Sequence, residues 1–178
     1  MIGLRQPDAR SCGAAAVVMA RLLHDGTELA APAFRDEVLE AHRRLTRARL
    51  HGHRQLPWPR ALGTPPWAVD GELRAITGRE HTVSLIRCSP AAHYDRLALT
   101  GGALYVGSPW LPRHVVLVLP GSPEAPMRCY QPARGCVVTL PRAQFAEGRL
   151  MAAGWPYAWF SVSPAAAAGP GEPPASPR

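Results

Sequence analysis

The chain has 178 residues, which is enough for one domain that buries a sizeable core without help from metals or disulfides. Apolar residues make up 47% of it and charged residues 19%, a composition typical of a soluble globular protein. The net charge of +7 comes entirely from arginine, because the sequence contains no lysine, and the basic residues are scattered. This scatter argues against a dedicated nucleic-acid-binding protein, whose basic residues cluster on one face.

The sequence lacks the patterns that send a chain into or across a membrane. It has no run of about 18 apolar residues, so we predict no membrane span. Residues 1–10 carry charges but no apolar stretch and no small-residue cleavage site, so we predict no secretory signal. The expected location is therefore the cytoplasm.

The cysteines do not form a metal-binding or disulfide pattern. No C-x-x-C pair occurs, which makes a zinc ribbon improbable on spacing alone, and we predict neither a metal nor a cofactor. In a reducing compartment free thiols are the default. A bridge between Cys129 and Cys136 across a four-residue turn is conceivable but not favoured, because the two would be offset rather than opposed. The four cysteines are Cys12, Cys88, Cys129 and Cys136.

The densest basic region lies within residues 42–54. Five arginines occur there among three histidines: Arg43, Arg44, Arg47, Arg49, Arg54, His42, His51 and His53. An exposed helical face followed by a loop gives the same composition, and we favour that interpretation over contact with nucleic acid or an anionic substrate.

The first part of the chain predicts helices. Ser11 is a suitable N-cap for a helix over residues 12–23, which is apolar nearly all round and therefore expected to be buried. Residues 33–49 predict an amphipathic helix, residues 51–66 an irregular proline-rich crossing, and residues 67–77 a third helix that ends at a glycine.

The second part of the chain predicts mainly strands. We expect a strand over residues 82–88, a short helix over 89–100, and two strands over 103–106 and 114–119. A hairpin over 128–140, one or two helical turns over 144–150 and a last strand over 157–163 follow. Helices first and an antiparallel sheet second indicate an α+β fold in a single domain over residues 1–163. Residues 164–178 are rich in Ala, Gly, Pro and Ser and are expected to be disordered.

Cys12 is the strongest candidate for a reactive residue. It would sit at the start of the first helix, where partial positive charge and unpaired N–H groups favour the thiolate and lower the thiol pKa. Gly13 beside it leaves room for a substrate carbonyl. Attack on that carbonyl creates an oxyanion, for which the Cys12 backbone N–H and the Gln6 amide are suitable donors. Cysteine in an alanine-rich helix is, however, usually only a small apolar residue.

His114 and Gln131 are the candidate partners of this cysteine. His114 opens the apolar strand over residues 114–119, where an imidazole either is satisfied in the core or faces a cleft and serves as a general base. Gln131 ends the neighbouring strand, and its amide oxygen could accept the imidazole N–H and fix the ring orientation.

These blocks together resemble a known family. Gln6, then Cys12-Gly13, then His114-Val115-Val116-Leu117, then a strand that ends in x-Pro-Ala-x-Gly, is similar to the C39-type peptidases. The resemblance extends over about residues 6–150. It implies a papain-like fold and cleavage of a peptide or protein substrate, as in leader-peptide processing. It also implies Cys12 as nucleophile, His114 as base and Gln6 as oxyanion donor.

Two departures from the family leave alternatives open. The family usually has aspartate in the block matched by residues 131–135, where this chain has Gln131, and the chain is too short to include a fused transporter. A catalytically weak or inactive peptide-binding module and an acyltransferase therefore remain alternatives to a hydrolase. Trp67 and Trp110 are candidates for the substrate groove, although such aromatics more often belong to a core or its rim.

Overall fold

The computed structural model describes residues 3–165. It contains five α-helices: α1 (Cys12–Asp25), α2 (Ala31–Leu45), α3 (Pro66–Thr77), α4 (Pro90–Thr100) and α5 (Arg142–Ala146). A two-stranded hairpin consists of β1 (Arg49–Leu50) and β2 (His53–Arg54). The main-sheet strands are β3 (His81–Leu85), β4 (Gly102–Gly107), β5 (Pro112–Leu119), β6 (Met127–Gln131), β7 (Cys136–Leu140) and β8 (Tyr157–Pro164).

The main sheet is antiparallel throughout and has the order β3-β8-β4-β5-β6-β7. Side chains alternate between its two faces, so each face has its own apolar core. On β5, Val115 and Leu117 pack on the face covered by α1, whereas Val116 and Val118 pack on the face covered by α4 and α5. The helices thus cover both faces, and β5 lies in the middle of the molecule.

Helix α1 is the central element of the first core. Its residues from Cys12 to Met19 are all buried, as expected for a helix that is apolar on every side. The helix ends at Gly26, whose φ of 65° is accessible to glycine without strain. Ser11 precedes the helix but makes no side-chain capping bond. Instead, Oδ1 of Asp8 accepts the Ser11 and Arg10 backbone N–H groups at 3.0 and 2.7 Å.

The coarse prediction of an α+β fold with an antiparallel sheet is confirmed. The predicted segregation of helices before strands is only partial, because α4 lies between β3 and β4 and α5 between β7 and β8. The hairpin of β6 and β7 and helix α3 occur where they were predicted.

Several boundaries differ from the predictions. Strand β5 begins at Pro112 rather than at residue 114, and the helical turns predicted over residues 144–150 correspond to α5 (Arg142–Ala146). Helix α2 ends at Leu45 rather than continuing to residue 49, because Thr46 folds its hydroxyl onto the His42 carbonyl at 2.8 Å and the chain turns into β1. Strand β3 ends at Leu85 instead of residue 88, and its alternation does not mark a buried face because β3 is an edge strand. Pro164 belongs to β8, and the rest of the predicted tail from residue 166 lies outside the described residues.

No helix within residues 3–165 combines the length and the apolar character needed to span a bilayer. In the same part of the chain, no three His, Cys, Asp or Glu residues come together as a metal site would require. All four cysteines are free thiols. Cys129 faces Val138 across the hairpin and Cys136 faces Gln131, which is the offset expected from the turn.

Candidate active site

The candidate residues lie around one end of the main sheet. His114 is near the start of β5, and Gln131 is the last residue of β6. The chain segment before α1 runs along the turn between β6 and β7. Gly3 donates to the Gly135 carbonyl and Gln6 to the Pro132 carbonyl, both at 2.9 Å. The tertiary fold therefore brings together sequence blocks that are more than a hundred residues apart.

Gly135 allows this close approach of two chain segments. Its φ is +64°, and a Cβ at this position would lie 2.7 Å from the Leu4 carbonyl oxygen, which is too close for any side chain. The Tyr130 hydroxyl donates to the same carbonyl at 2.8 Å. The glycine of the x-Pro-Ala-x-Gly block thus serves to hold the segment that carries Gln6.

Cys12 is the first residue of α1, and its sulfur is close to backbone N–H groups. The Val115 N–H, from the residue after His114, is the most important of these, and the Gly13 N–H and the N–H of Cys12 itself also contribute. The side chain is only 5% exposed. Burial raises the thiol pKa to about 11 and outweighs the backbone N–H groups that lower it. The expectation that the helix N-terminus gives a lowered pKa is therefore wrong for this resting structure.

His114 is a buried imidazole with an incomplete set of partners. It is 8% exposed, and burial lowers its pKa. The Gln131 side chain lies beside the ring and partly offsets this shift in pKa. The ring nitrogen Nε2 is buried without a hydrogen-bond partner. A neutral imidazole with a free ring nitrogen is what a general base requires.

The strand pattern gives the relative orientation of His114 and Cys12. Val115 packs with Cys12 on the α1 side of the sheet. His114 is paired with Val106, which belongs to the opposite core. Because side chains alternate along a strand, His114 belongs to the face away from α1. The two side chains therefore approach the start of β5 from different faces, and a direct proton transfer requires that the thiol and the imidazole meet at that end of the strand.

Gln131 is buried and fixed mainly by its own turn. Its Oε1 accepts the Ala133 N–H at 2.7 Å and the Arg134 N–H at 3.3 Å. Those two bonds stabilise the turn and compete with the predicted role, in which the same oxygen accepts the imidazole N–H. Gln131 is thus a neighbour of His114, but the predicted orienting bond is at most weak.

Gln6 is directed toward the chain that leads into α1. Its Nε2 donates to the Asp8 carbonyl at 2.6 Å, while its Oε1 is buried without a partner. One of the two amide hydrogens is therefore engaged locally, and one remains for the predicted oxyanion role. Asp8 was not predicted as part of the site. It follows a proline in a turn, a position at which aspartate often bonds to the next backbone N–H groups.

The space beside Gly13 is filled by the protein itself. A Cβ on Gly13 would lie 2.7 Å from the Cβ of Thr64, so the glycine is needed for packing and not to admit a substrate. The Tyr105 hydroxyl donates to the Thr64 carbonyl at 3.0 Å, and burial together with the nearby Cys12 raises the Tyr105 pKa well above its ordinary value. Sequence reasoning missed Thr64 and Tyr105, because nothing in the local pattern connects them to Cys12.

The two tryptophans predicted to line the substrate groove, Trp67 and Trp110, have different surroundings. Trp110 lies in the turn between β4 and β5 and is 83% exposed. Trp67 is half-buried on α3, packs edge-to-face on Trp58 at 5.2 Å between ring centroids, and donates to the Leu56 carbonyl at 3.3 Å. Trp110 is therefore free to contact a ligand near the His114 end of the sheet, whereas Trp67 already has partners within the protein.

Comparison of the chain with protein-family models, with curated proteins and with solved structures gives no match.

Proposed function

We propose that this protein is a thiol-dependent hydrolase of peptide or amide bonds, with Cys12 as nucleophile and His114 as base. The observation that carries the proposal is the position of the Cys12 sulfur. It lies at the N-terminus of a buried helix and against the N–H of Val115, the neighbour of His114. A papain-like architecture is part of the same proposal.

The chemistry starts from two neutral groups. Burial raises the pKa of the Cys12 thiol to about 11 and lowers the pKa of the His114 imidazole, so both shifts disfavour a thiolate–imidazolium pair in the resting protein. The proton therefore moves during the attack, when the negative charge passes from sulfur to the carbonyl oxygen.

The steps of hydrolysis follow from this arrangement. The S–H bond breaks toward His114, an S–C bond forms, and the carbonyl electron pair becomes an oxyanion held by the α1 N-terminus and the remaining Gln6 N–H. The imidazolium then gives its proton to the leaving nitrogen as the C–N bond breaks. His114 then deprotonates a water molecule, which attacks the thioester carbonyl. As the S–C bond breaks, the His114 imidazolium returns the proton to the Cys12 sulfur.

Turnover of a mixed library of internally quenched peptides tests the proposal. We expect Cys12→Ala and His114→Ala to lose at least about a hundredfold in kcat/KM, and the matched control Cys88→Ala, at an exposed thiol, to keep full activity. The acyl-enzyme should appear as a mass increase on Cys12 in rapidly quenched samples. Turnover that survives Cys12→Ala would contradict the proposal, and product mass separates hydrolysis from acyl transfer.

A second candidate function is a peptide-binding module without turnover. It is favoured by the raised pKa of the Cys12 thiol and by the amide of Gln131 at the position where the resembled family has a carboxylate. This alternative predicts that peptides bind equally well to the wild type and to Cys12→Ala, and that neither protein cleaves them. Binding by anisotropy and turnover on the same peptides distinguish the two functions.

A further inference from the structure

Two adjoining cavities lie beside the segment that enters α1. Their volumes are about 530 and 510 Å³, and both are lined by Arg43 of α2 and by Arg60 of the short helix Arg60–Leu62. Arg10 adds a third cation to the first cavity, and Arg47 adds one to the second. We call these four arginines and the space between them the basic groove. It joins residues from three separate parts of the chain.

The arginines of the basic groove have little negative charge to neutralise them. Among residues 3–165, none of Arg10, Arg47 and Arg60 forms an ion pair, and Arg43 has only a 3.4 Å contact with Glu40. Both members of that pair are more than half exposed, so the contact is weak and exchangeable. Asp8 also lines the groove, but its Oδ1 already accepts two backbone N–H groups.

Buried polar groups at the groove also lack partners. His42 lines the first cavity and is only 7% exposed, and its Nε2 is buried with no hydrogen bond. Trp58 lines the second cavity, and its Nε1 is likewise buried and unpartnered. The Trp58 Nε1–H is an unpaired donor, and leaving it buried costs free energy that a bound acceptor removes. The neutral His42 ring carries a single N–H, so its unpartnered Nε2 is not counted as a second donor. The groove thus combines exposed cations at its rim with an unpartnered Trp58 N–H in its wall.

The groove is next to the proposed nucleophile. Residues 8–10, which line the first cavity, lead directly into Ser11 and Cys12. Asp8 lines the first cavity, and its Oδ1 accepts the N–H of Ser11, the residue just before Cys12, at 3.0 Å. A chain bound at the sulfur can therefore extend into the groove.

We propose that the basic groove binds acidic side chains of the peptide substrate and so selects peptides with glutamate or aspartate on one side of the bond that is cleaved. This inference rests on the proposed function for the cleavage step, but its binding part stands on the groove alone. Arginine pairs with carboxylates through two parallel hydrogen bonds, and a cavity of this size accepts a few side chains.

The groove favours a peptide over a nucleic acid because its cations do not continue into a long stripe. Arg44, which the sequence places within the same basic region, points instead to the buried carboxylate of Glu72 at 2.6 Å. Nucleic acids are bound by many phosphate contacts along an extended surface. Four arginines around two small cavities fit a short acidic segment better.

Binding to Cys12→Ala protein tests the inference independently of turnover. The probes are a fluorescein-labelled Gly/Ala peptide with several glutamates and its counterpart with glutamines at the same positions. We expect the glutamate peptide to bind at least about tenfold more tightly, and the double change Arg43→Gln and Arg60→Gln to remove that preference. The matched control is Arg35→Gln, at an exposed arginine on the same helix α2, which should change nothing.

The outcomes separate the two proposals. Charge-selective binding without cleavage by the wild type would support the groove and overturn the hydrolase. Cleavage with equal kcat/KM for glutamate and glutamine peptides would support the hydrolase and overturn the groove. A random single-stranded oligonucleotide that binds more tightly than the glutamate peptide would also overturn the groove as a peptide site. Circular dichroism of each variant verifies that the fold is retained.

Discussion

Alkylation of Cys12 by iodoacetamide at different pH values measures which effect controls this thiol, the helix N-terminus or burial. The thiol pKa is about 11, compared with an ordinary value of 9.0. Below pH 9 this difference leaves about a hundredfold less thiolate, and the higher basicity returns about a tenfold gain in nucleophilicity. We therefore expect Cys12 to be alkylated about tenfold more slowly than an ordinary thiol. Its side chain is only 5% exposed, and this restricted access should slow alkylation further.

The other cysteines of the chain provide internal references. Cys88 is exposed and should react first in the native protein. Cys129 is fully buried, and burial strongly raises its thiol pKa, so it should react last. Peptide mass spectrometry on samples quenched at successive times gives the rate at each position. In concentrated urea all positions should react at similar rates, which shows that the native order comes from the fold.

Fast alkylation of Cys12 would contradict the conclusion that burial controls this thiol. If Cys12 reacts faster than Cys88 near pH 7, and its rate levels off with an apparent pKa below 9, then the α1 N-terminus dominates and a thiolate exists in the resting protein. The mechanism with two neutral groups would then be wrong, although a hydrolase would still be possible. If the rate of Cys12 rises steadily with pH through 9, burial controls the thiol as argued.

Three further predictions concern single positions. Gln131→Glu places a carboxylate beside the buried His114 imidazole and should raise the pKa of that imidazole. The acidic limb of the kcat/KM profile should then move to higher pH, and kcat should increase by about tenfold. An unchanged pH profile would show that residue 131 does not act on the ring. Gly13→Ala forces a contact with Thr64 and should cost about 1–3 kcal/mol in urea unfolding, with partial rescue by Thr64→Gly; no loss would mean that the packing is loose. Glu72→Gln removes a 4% exposed carboxylate that pairs with an arginine at 2.6 Å, and should cost about 2 kcal/mol. The control Glu37→Gln, at a third-exposed pair, should cost less than about 1 kcal/mol.

Local sequence patterns predict which elements carry the site residues, but not how the side chains of those residues are oriented. Apolar runs and turn residues locate α1, β5 and the hairpin of β6 and β7, and these elements carry Cys12, His114 and Gln131. The same patterns do not indicate which way a polar side chain turns. The oxygen of Gln131 bonds mainly to its own turn, and the amide of Gln6 bonds to Asp8. Both choices depend on competing partners a few residues away.

The buried first helix, the antiparallel hairpin and a cysteine at a helix N-terminus can all be predicted from the order of neighbouring residues. The raised pKa of that cysteine could not be predicted in this way, because it depends on how the folded chain buries the thiol. The N-terminal charge of α1 is a local effect, whereas burial brings in distant residues such as Thr64 and Tyr105 and outweighs it. The basic groove has the same origin. Arg10 and Arg60 are fifty positions apart in the sequence, and only the folded chain places them around one cavity.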